Sequence, residues 1–168
     1  MSKWIKPALG LIIILILGKY LIDYQTSNAG YAPEQPIAFS HKLHAGDNHI
    51  PCLYCHYNAE RSSFANVPAM DICMGCHSTV AIDKDNIKKI TELYEAGKSV
   101  EWTRIHRLPD FVHFDHSRHL AAGFACQRCH GKVEKMTVVR QAESLDMGWC
   151  VECHRANGGS DNCNTCHQ

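Results

Sequence analysis

The chain has 168 residues, enough for one domain with a short appendage. Lysine plus arginine equals aspartate plus glutamate, 17 of each sign, so the polypeptide is formally neutral and gives no electrostatic indication of nucleic-acid binding. Ten cysteines and twelve histidines are too many of both for an ordinary cytoplasmic globular protein.

Residues 1–24 are predicted to form a single transmembrane anchor. The 19 residues from Trp4 to Ile22 would make about 28 Å of helix, which just spans a bilayer core. Lys6 and Lys19 flank the apolar run and are expected to reach the two membrane interfaces. A cleaved signal peptide is the alternative, but the interface-type flanking residues favour the anchor.

The charge pattern also predicts the orientation of the chain. Basic residues before the apolar run place the N-terminus in the cytoplasm, by the positive-inside rule. The rest of the chain is then expected on the extracytoplasmic (periplasmic) side of the cytoplasmic membrane. Residues 25–35, rich in small and turn-forming residues, are interpreted as a tether to a domain covering residues 36–168.

The pattern F-x-H-x-x-H occurs twice, from Phe39 to His44 and from Phe114 to His119. The two histidines of each copy lie on one helical turn but project in different directions, which suits two metal ions better than one. Each copy precedes two cysteine motifs. The chain is therefore interpreted as a duplicated unit with a fifth motif added at its C-terminal end.

All ten cysteines fall in five C-x-x-C-H motifs, which we number in chain order. They are motif 1 (Cys52, Cys55, His56), motif 2 (Cys73, Cys76, His77), motif 3 (Cys126, Cys129, His130), motif 4 (Cys150, Cys153, His154) and motif 5 (Cys163, Cys166, His167). This spacing is that of c-type haem attachment, in which two thioethers hold the porphyrin and the histidine binds its iron. The sequence thus predicts five covalent haem c groups.

Three other cysteine chemistries fit less well. Zinc ribbons pair two C-x-x-C knuckles, whereas five is an odd number and zinc gives no reason for the adjacent histidine. A thioredoxin-like dithiol would accompany a βαβ pattern, which is not visible here. A disulfide scaffold would show variable spacing rather than five identical motifs.

With so few residues for each haem, the haems themselves are expected to form the core. The predicted fold class is therefore a mostly irregular and α-helical multihaem cytochrome c with one N-terminal transmembrane helix. The clearest soluble helix lies between the two units, where Ile87, Ile90, Leu93 and Tyr94 recur at helical spacing and Gly97 marks an end.

Seven histidines outside the motifs are candidates for the sixth ligand of each iron. The predicted distal ligands are His41, His44, His116, His119 and, as the fifth, His106. His49 and His113 are not predicted to be ligands. Methionine is the other possible ligand type, with Met136 and Met147 as candidates, and it would raise the potential of its haem.

The F-x-H-x-x-H pairs resemble those of class III multihaem cytochromes. The run WTRIHRLPDFVHFDHSRH with CQRCHGKVEKMTVVRQAESLDMGWCVECHR, and PIAFSHKLHAG with CLYCH before it, resembles the pentahaem cytochrome c subunit of bacterial alternative complex III. The resemblance extends back to about Pro36. It implies ligands at the positions of His41, His44, His106, His116 and His119.

That resemblance implies an electron-relay subunit of a respiratory quinol:electron acceptor oxidoreductase, not an enzyme on its own. The implied partners are an iron–sulfur protein, a quinol-binding integral membrane subunit and a monohaem cytochrome c or another periplasmic acceptor, with membrane lipid around the anchor. The alternatives are a quinol dehydrogenase anchor cytochrome that feeds a periplasmic reductase, and a multihaem reductase with one open iron position.

Overall fold

The structure, a computed structural model, describes residues 5–167, without the side chains of residues 5, 6 and 23–26. Its α-helices are α1 (Ile5–Thr26), α2 (Cys52–Cys55), α3 (Met70–His77), α4 (Asp85–Glu95), α5 (His116–Ala121), α6 (Gln127–His130), α7 (Met147–Asn157) and α8 (Cys163–Cys166). A π-helical turn covers Lys42–Asp47, and 3-10 turns cover Tyr57–Glu60 and Val133–Lys135. Between residues 5 and 167 there is no β-strand, as expected for a helical and irregular fold.

Helix α1 contains the apolar run of the predicted anchor. Its large side chains from Leu9 to Leu17 are exposed. Among the described residues, however, no helix has the length and apolar character needed to cross a membrane. The prediction of a transmembrane anchor over residues 1–24 is therefore not confirmed, and its first four residues lie outside the described residues.

The segment interpreted as a tether is hydrogen-bonded to the rest of the chain. The Gly30 amide donates to the Gln141 carbonyl (2.7 Å), and the Gln141 amide donates to the Tyr31 carbonyl (3.1 Å). Gln35 and Thr103 exchange two further bonds, each 2.9 Å long. Residues 28–35 thus pack against two later segments of the chain.

The Gln141 side chain is fully buried and joins these segments. Its amide nitrogen donates to the carbonyls of Glu143 (2.9 Å) and Ser144 (3.1 Å). Its amide oxygen accepts from the Arg107 backbone amide (2.9 Å) and from the Asn28 side chain (3.3 Å). All the hydrogen-bonding groups of this buried amide are therefore satisfied, as burial requires.

We expect Gln141→Leu to lower the free energy of unfolding by about 2 kcal/mol, because four part-buried polar groups lose their partner and each unsatisfied group costs up to about 1–3 kcal/mol. Chemical denaturation of the haem-loaded chain, followed by circular dichroism, measures this loss. Gln127→Leu is the matched control, since Gln127 is exposed and makes one long contact of 3.5 Å. Equal stability of the two variants would contradict the role given to Gln141.

The two F-x-H-x-x-H copies form nearly the same structure, which supports the predicted duplication. Phe39 stacks on His44 with ring centres 4.3 Å apart, and Phe114 stacks on His119 at 4.6 Å. The local helices differ, since the first copy leads into a π-helical turn and the second into α5, whose N-cap is Asp115. The phenylalanine therefore holds the second histidine of each copy in the same way on different backbones.

Few apolar side chains are buried in the part of the chain that the structure describes. One cluster joins Ile37, Ile90 and Val100, with Ile87 and Leu93 of α4 packed against it. The predicted helix between the two units is thus confirmed, and it stops just before Gly97, whose φ is +65°. Tyr94 lies on the last turn of this helix, and its hydroxyl donates to the Asp71 carboxylate at 2.9 Å.

Candidate haem sites

Each C-x-x-C-H motif lies on a single helical turn. In motifs 1, 3 and 5 the histidine amide donates to the carbonyl of the first cysteine, at 2.9, 3.0 and 2.9 Å. Motifs 2 and 4 lie within the longer helices α3 and α7. None of the ten cysteines forms a disulfide. Both thiols of every motif are therefore presented on one turn, as attachment to one porphyrin edge requires.

Each motif histidine uses its Nδ1 atom for a hydrogen bond. In motifs 1, 2 and 5 this nitrogen reaches the carbonyl of Asn66 (2.6 Å), Val80 (3.0 Å) and Phe111 (2.9 Å), and in motif 4 that of Ser160. In motif 3 the partner is instead the Nε2 atom of His106, at 3.2 Å. Such a bond fixes the ring and leaves Nε2 of the motif histidine available to a metal ion.

Four motif histidines each face one histidine of an F-x-H-x-x-H copy. The facing pairs, with the distances between their ring centres, are His41 and His56 (6.4 Å), His44 and His77 (6.1 Å), His116 and His130 (6.2 Å), and His119 and His154 (6.0 Å). In each copy the first histidine faces the next motif along the chain, and the second histidine faces the motif after that.

This spacing fits a metal ion bound between the two rings. A metal–imidazole bond of about 2 Å on each side, plus the step from each nitrogen to its ring centre, puts the centres about 6 Å apart. A direct hydrogen bond between two imidazoles brings them closer, as the 4.5 Å between His106 and His130 illustrates. The residues present therefore fit four bis-histidine haem irons, each beside its own pair of thiols.

The facing histidines are also anchored through Nδ1. His44 and His119 bond to the carbonyls of the residues four positions earlier, Ser40 (2.9 Å) and Asp115 (2.8 Å). His116 bonds instead to the Ser63 carbonyl, at 2.7 Å, in the segment that follows motif 1. Nδ1 of His41 is buried, and no described residue forms a hydrogen bond with it.

Burial keeps the central imidazoles neutral. It lowers the pKa of His41 to about 4, with His56 adding to the shift. It lowers the pKa of His130 to about 4 as well, with His106 as the next cause. A neutral imidazole is the form that binds a metal ion, so at pH 7 these rings are ready to act as ligands.

Motifs 1 and 2 adjoin, and so do motifs 1 and 3. Burial raises the pKa of Cys55, and the Cys73 thiol of motif 2 raises it further. Burial and the Cys52 thiol both raise the pKa of Cys126, and these two thiols are hydrogen-bonded to each other. In the haem-loaded chain these thiols are thioethers, so the interactions matter here as signs of proximity.

Motif 4 lies between motifs 3 and 5. Burial raises the pKa of Cys129, and the motif 4 thiols Cys153 and Cys150 add to the shift. Burial also raises the pKa of Cys150, followed by Asp146 and the Cys166 thiol of motif 5. Motif 1 thus adjoins motifs 2 and 3, and motif 4 adjoins motifs 3 and 5.

The structure places His106, the last of the five predicted distal ligands, beside motif 3. His106 contacts His130, whose opposite side already faces His116. Within residues 5–167, no second imidazole faces His167 at the 6 Å spacing. His113 lies near motif 5 through its backbone, which donates to the Cys166 carbonyl at 2.8 Å, but its side chain is exposed.

The two methionine candidates differ in their surroundings. Met136 is buried, and its side chain approaches Gly131 just after motif 3. Met147 lies in the first turn of α7 and is 63% exposed. Neither position tests methionine ligation, so that alternative stays a prediction.

The carbonyls that hold the motif histidines could not be predicted from sequence patterns. Asn66 and Phe111 have positive φ angles of 61° and 62°, which are uncommon outside glycine. Their backbone conformation turns each carbonyl toward a motif histidine. Nothing in the side chains of these two residues indicates the role, because the backbone performs it.

Known proteins show related sequences. Residues 112–168, which contain motifs 3, 4 and 5, match the family model for cytochrome c7 and related cytochrome c. The chain is 35% identical over 122 residues to the menaquinone reductase, multiheme cytochrome c subunit, of Nitratidesulfovibrio vulgaris strain Hildenborough. That alignment covers 72% of this chain and 56% of the relative, so the chain spans little more than half the relative's length. The chain is thus similar to multihaem c-type cytochromes, and its residues 112–168 match the family model.

Proposed function

We propose that the chain carries five covalently attached c-type haems and serves as the electron-transfer subunit of a membrane quinol:electron acceptor oxidoreductase. The facing histidine pairs beside motifs 1 to 4, with ring centres 6.0–6.4 Å apart, carry this proposal. Bound haem supplies reversible one-electron chemistry. With an imidazole on each side, these irons have no open position for a substrate, which favours relay over catalysis.

The spatial order of the motifs supports a relay with two ends. Motif 3 adjoins motifs 1 and 4, motif 2 adjoins motif 1, and motif 5 adjoins motif 4. We infer from these neighbours a series that has motifs 2 and 5 at its ends. The segment before motif 1 is also hydrogen-bonded to the segment between motifs 3 and 4, since the Lys42 amide donates to the Met136 carbonyl at 2.8 Å. We expect the electron donor and the acceptor to dock near motif 2 and motif 5.

The relative's name supports a quinone-linked complex. It is a cytochrome subunit of a menaquinone reductase, so its function depends on other subunits and on a quinone. We propose the same kind of setting here, and specifically the pentahaem subunit of alternative complex III. The expected partners are an iron–sulfur protein, a quinol-binding integral membrane subunit and a monohaem cytochrome c.

The attachment chemistry supports a location outside the cytoplasm. Haem c is joined to its polypeptide on the extracytoplasmic side of the membrane, so we propose that the five motifs lie there, held at the membrane by the partner subunits. Protease treatment of intact spheroplasts should remove the haem-staining band. Full protection of that band, with a periplasmic marker digested in the same sample, would exclude this location.

The decisive experiment is purification from the native membrane in mild detergent. We expect an intact mass that corresponds to five haems on each chain, together with co-purifying iron–sulfur and integral membrane subunits. A short-chain quinol should reduce the haems in the complex but not in the isolated subunit. If quinol rapidly reduces the haems of the isolated subunit, the subunit is instead a quinol dehydrogenase. If the purified chain is colourless, it carries no haem and the proposal is wrong.

A further inference from the structure

His130 is held differently from the other four motif histidines. Those four bond through Nδ1 to backbone carbonyls, whereas His130 bonds to a side chain, the imidazole of His106. The two rings are nearly perpendicular, at 82°, and their Nδ1 and Nε2 atoms are 3.2 Å apart. The two nitrogens are thus within hydrogen-bonding distance, although the ring centres, 4.5 Å apart, are closer than an in-line bond between ring edges would place them.

The binding of iron by His130 decides which ring donates the hydrogen bond and which ring accepts it. His130 faces His116 across a haem-sized gap, so its Nε2 atom is the one available to iron and its Nδ1 atom carries the proton. His130 Nδ1–H therefore donates, and Nε2 of a neutral His106 accepts. His106 then has no free lone pair to offer a second iron, because its own Nδ1 atom carries the remaining proton.

The neighbouring backbone holds His106 in this position from both sides. The carbonyl of Ile105 accepts from the Asn28 side chain at 2.9 Å, and the Arg107 amide donates to the buried Gln141 at 2.9 Å. The His106 carbonyl accepts from Arg104 Nε at 3.1 Å. The backbone on both sides of His106 is thus held by Asn28 and Gln141, which places the His106 side chain beside His130.

We propose that His106 is a positioning residue that accepts a hydrogen bond from the iron ligand His130 and lowers the redox potential of the motif 3 haem. An acceptor on a ligating histidine increases its basicity and its donation to the metal. An imidazole nitrogen is a stronger base than a peptide carbonyl, so the effect at motif 3 exceeds that at the other four. This inference rests on the proposed haem function and replaces the role of His106 as the fifth distal ligand.

The test compares two substitutions in the full haem-loaded chain. His106→Leu removes the acceptor, and His106→Gln replaces the nitrogen with a weaker acceptor, an amide oxygen. Redox titration should show one haem shifted to a more positive potential in His106→Leu, with a smaller shift in the same direction in His106→Gln. The matched control is His49→Asn, because His49 is exposed and asparagine tolerates its φ of 54°.

The shifted haem should also be the one that responds to His116. We expect His116→Met to raise the potential of the same haem, since an axial methionine raises haem potentials.

Unchanged potentials in both His106 variants would overturn the inference, and His106→Gln decides alone if His106→Leu fails to accumulate. A new carbon monoxide-binding haem in His106→Leu would make His106 a distal ligand and also overturn it. Failure of the proposed function is distinct, because wild-type protein would then lack five attached haems.

Discussion

Replacing His41 with alanine is expected to open the sixth coordination position of one haem iron on each chain. The His41 ring lies parallel to that of His56, within 6°, with their centres 6.4 Å apart. Alanine cannot reach the iron of motif 1, so that haem should become high-spin when oxidised and bind carbon monoxide when reduced. Electron paramagnetic resonance and carbon monoxide difference spectra measure the two changes.

Two further measurements separate lost ligation from general disruption. Added imidazole should restore the low-spin spectrum of His41→Ala, because the free ligand can occupy the vacated site. His41→Met should stay six-coordinate and raise the potential of one haem. His49→Asn serves as the control that changes a nearby exposed histidine, and it should behave as wild type.

The arrangement of the first F-x-H-x-x-H copy leads to a stronger form of the same test. His41 faces motif 1 and His44 faces motif 2, so the two substitutions should open different irons. The double variant His41→Ala/His44→Ala is then expected to bind two carbon monoxide molecules more than wild type. If both histidines belonged to one iron, the double variant would gain only one.

The sequence predicted the chemistry of the sites better than their surroundings. Cysteine spacing and the F-x-H-x-x-H repeats were enough to name His41, His44, His116 and His119 as candidate ligands, because metal ligation depends on residue type at short and regular intervals. The structure places each of these rings opposite a motif histidine. Which ring faces which motif could not be predicted, because it depends on how distant turns pack.

His106 illustrates the limit of reasoning from residue type. A spare histidine in a chain with a missing ligand is a reasonable candidate for that ligand. Its partner is decided by contacts across the fold, here with Asn28 and Gln141 on either side of the segment. These contacts join residues 77 and 34 positions apart, and no local pattern encodes them.

Blocking haem attachment altogether is expected to abolish the cooperative fold. The buried apolar residues in the described part of the chain are few: Ile37, Ala59, Ile90, Val100, Met136 and Leu145. So small a set cannot offset the conformational entropy lost on ordering the chain. Large apolar side chains such as Phe111 (87% exposed) and Phe64 (70%) add little to the core of the bare polypeptide.

The full chain made in a host that lacks haem-attachment enzymes should therefore unfold without a sigmoidal thermal transition. The same chain from a host with those enzymes is the control and should melt cooperatively. Circular dichroism at near-ultraviolet wavelengths follows the loss of fixed packing. A sharp transition in the haem-free chain would show that the polypeptide contains a sufficient core of its own.

The position of each motif in the series predicts how far the melting temperature falls when that motif loses its haem. Motif 5 lies at one end and contacts the segment around Phe111 and His113, so Cys163→Ser/Cys166→Ser should leave most of the fold intact. Motif 3 lies in the middle, and His130 contacts both His106 and His116. Cys126→Ser/Cys129→Ser should therefore lower the melting temperature more than the motif 5 variant does. Equal losses would mean that stability depends on the number of haems and not on where they lie.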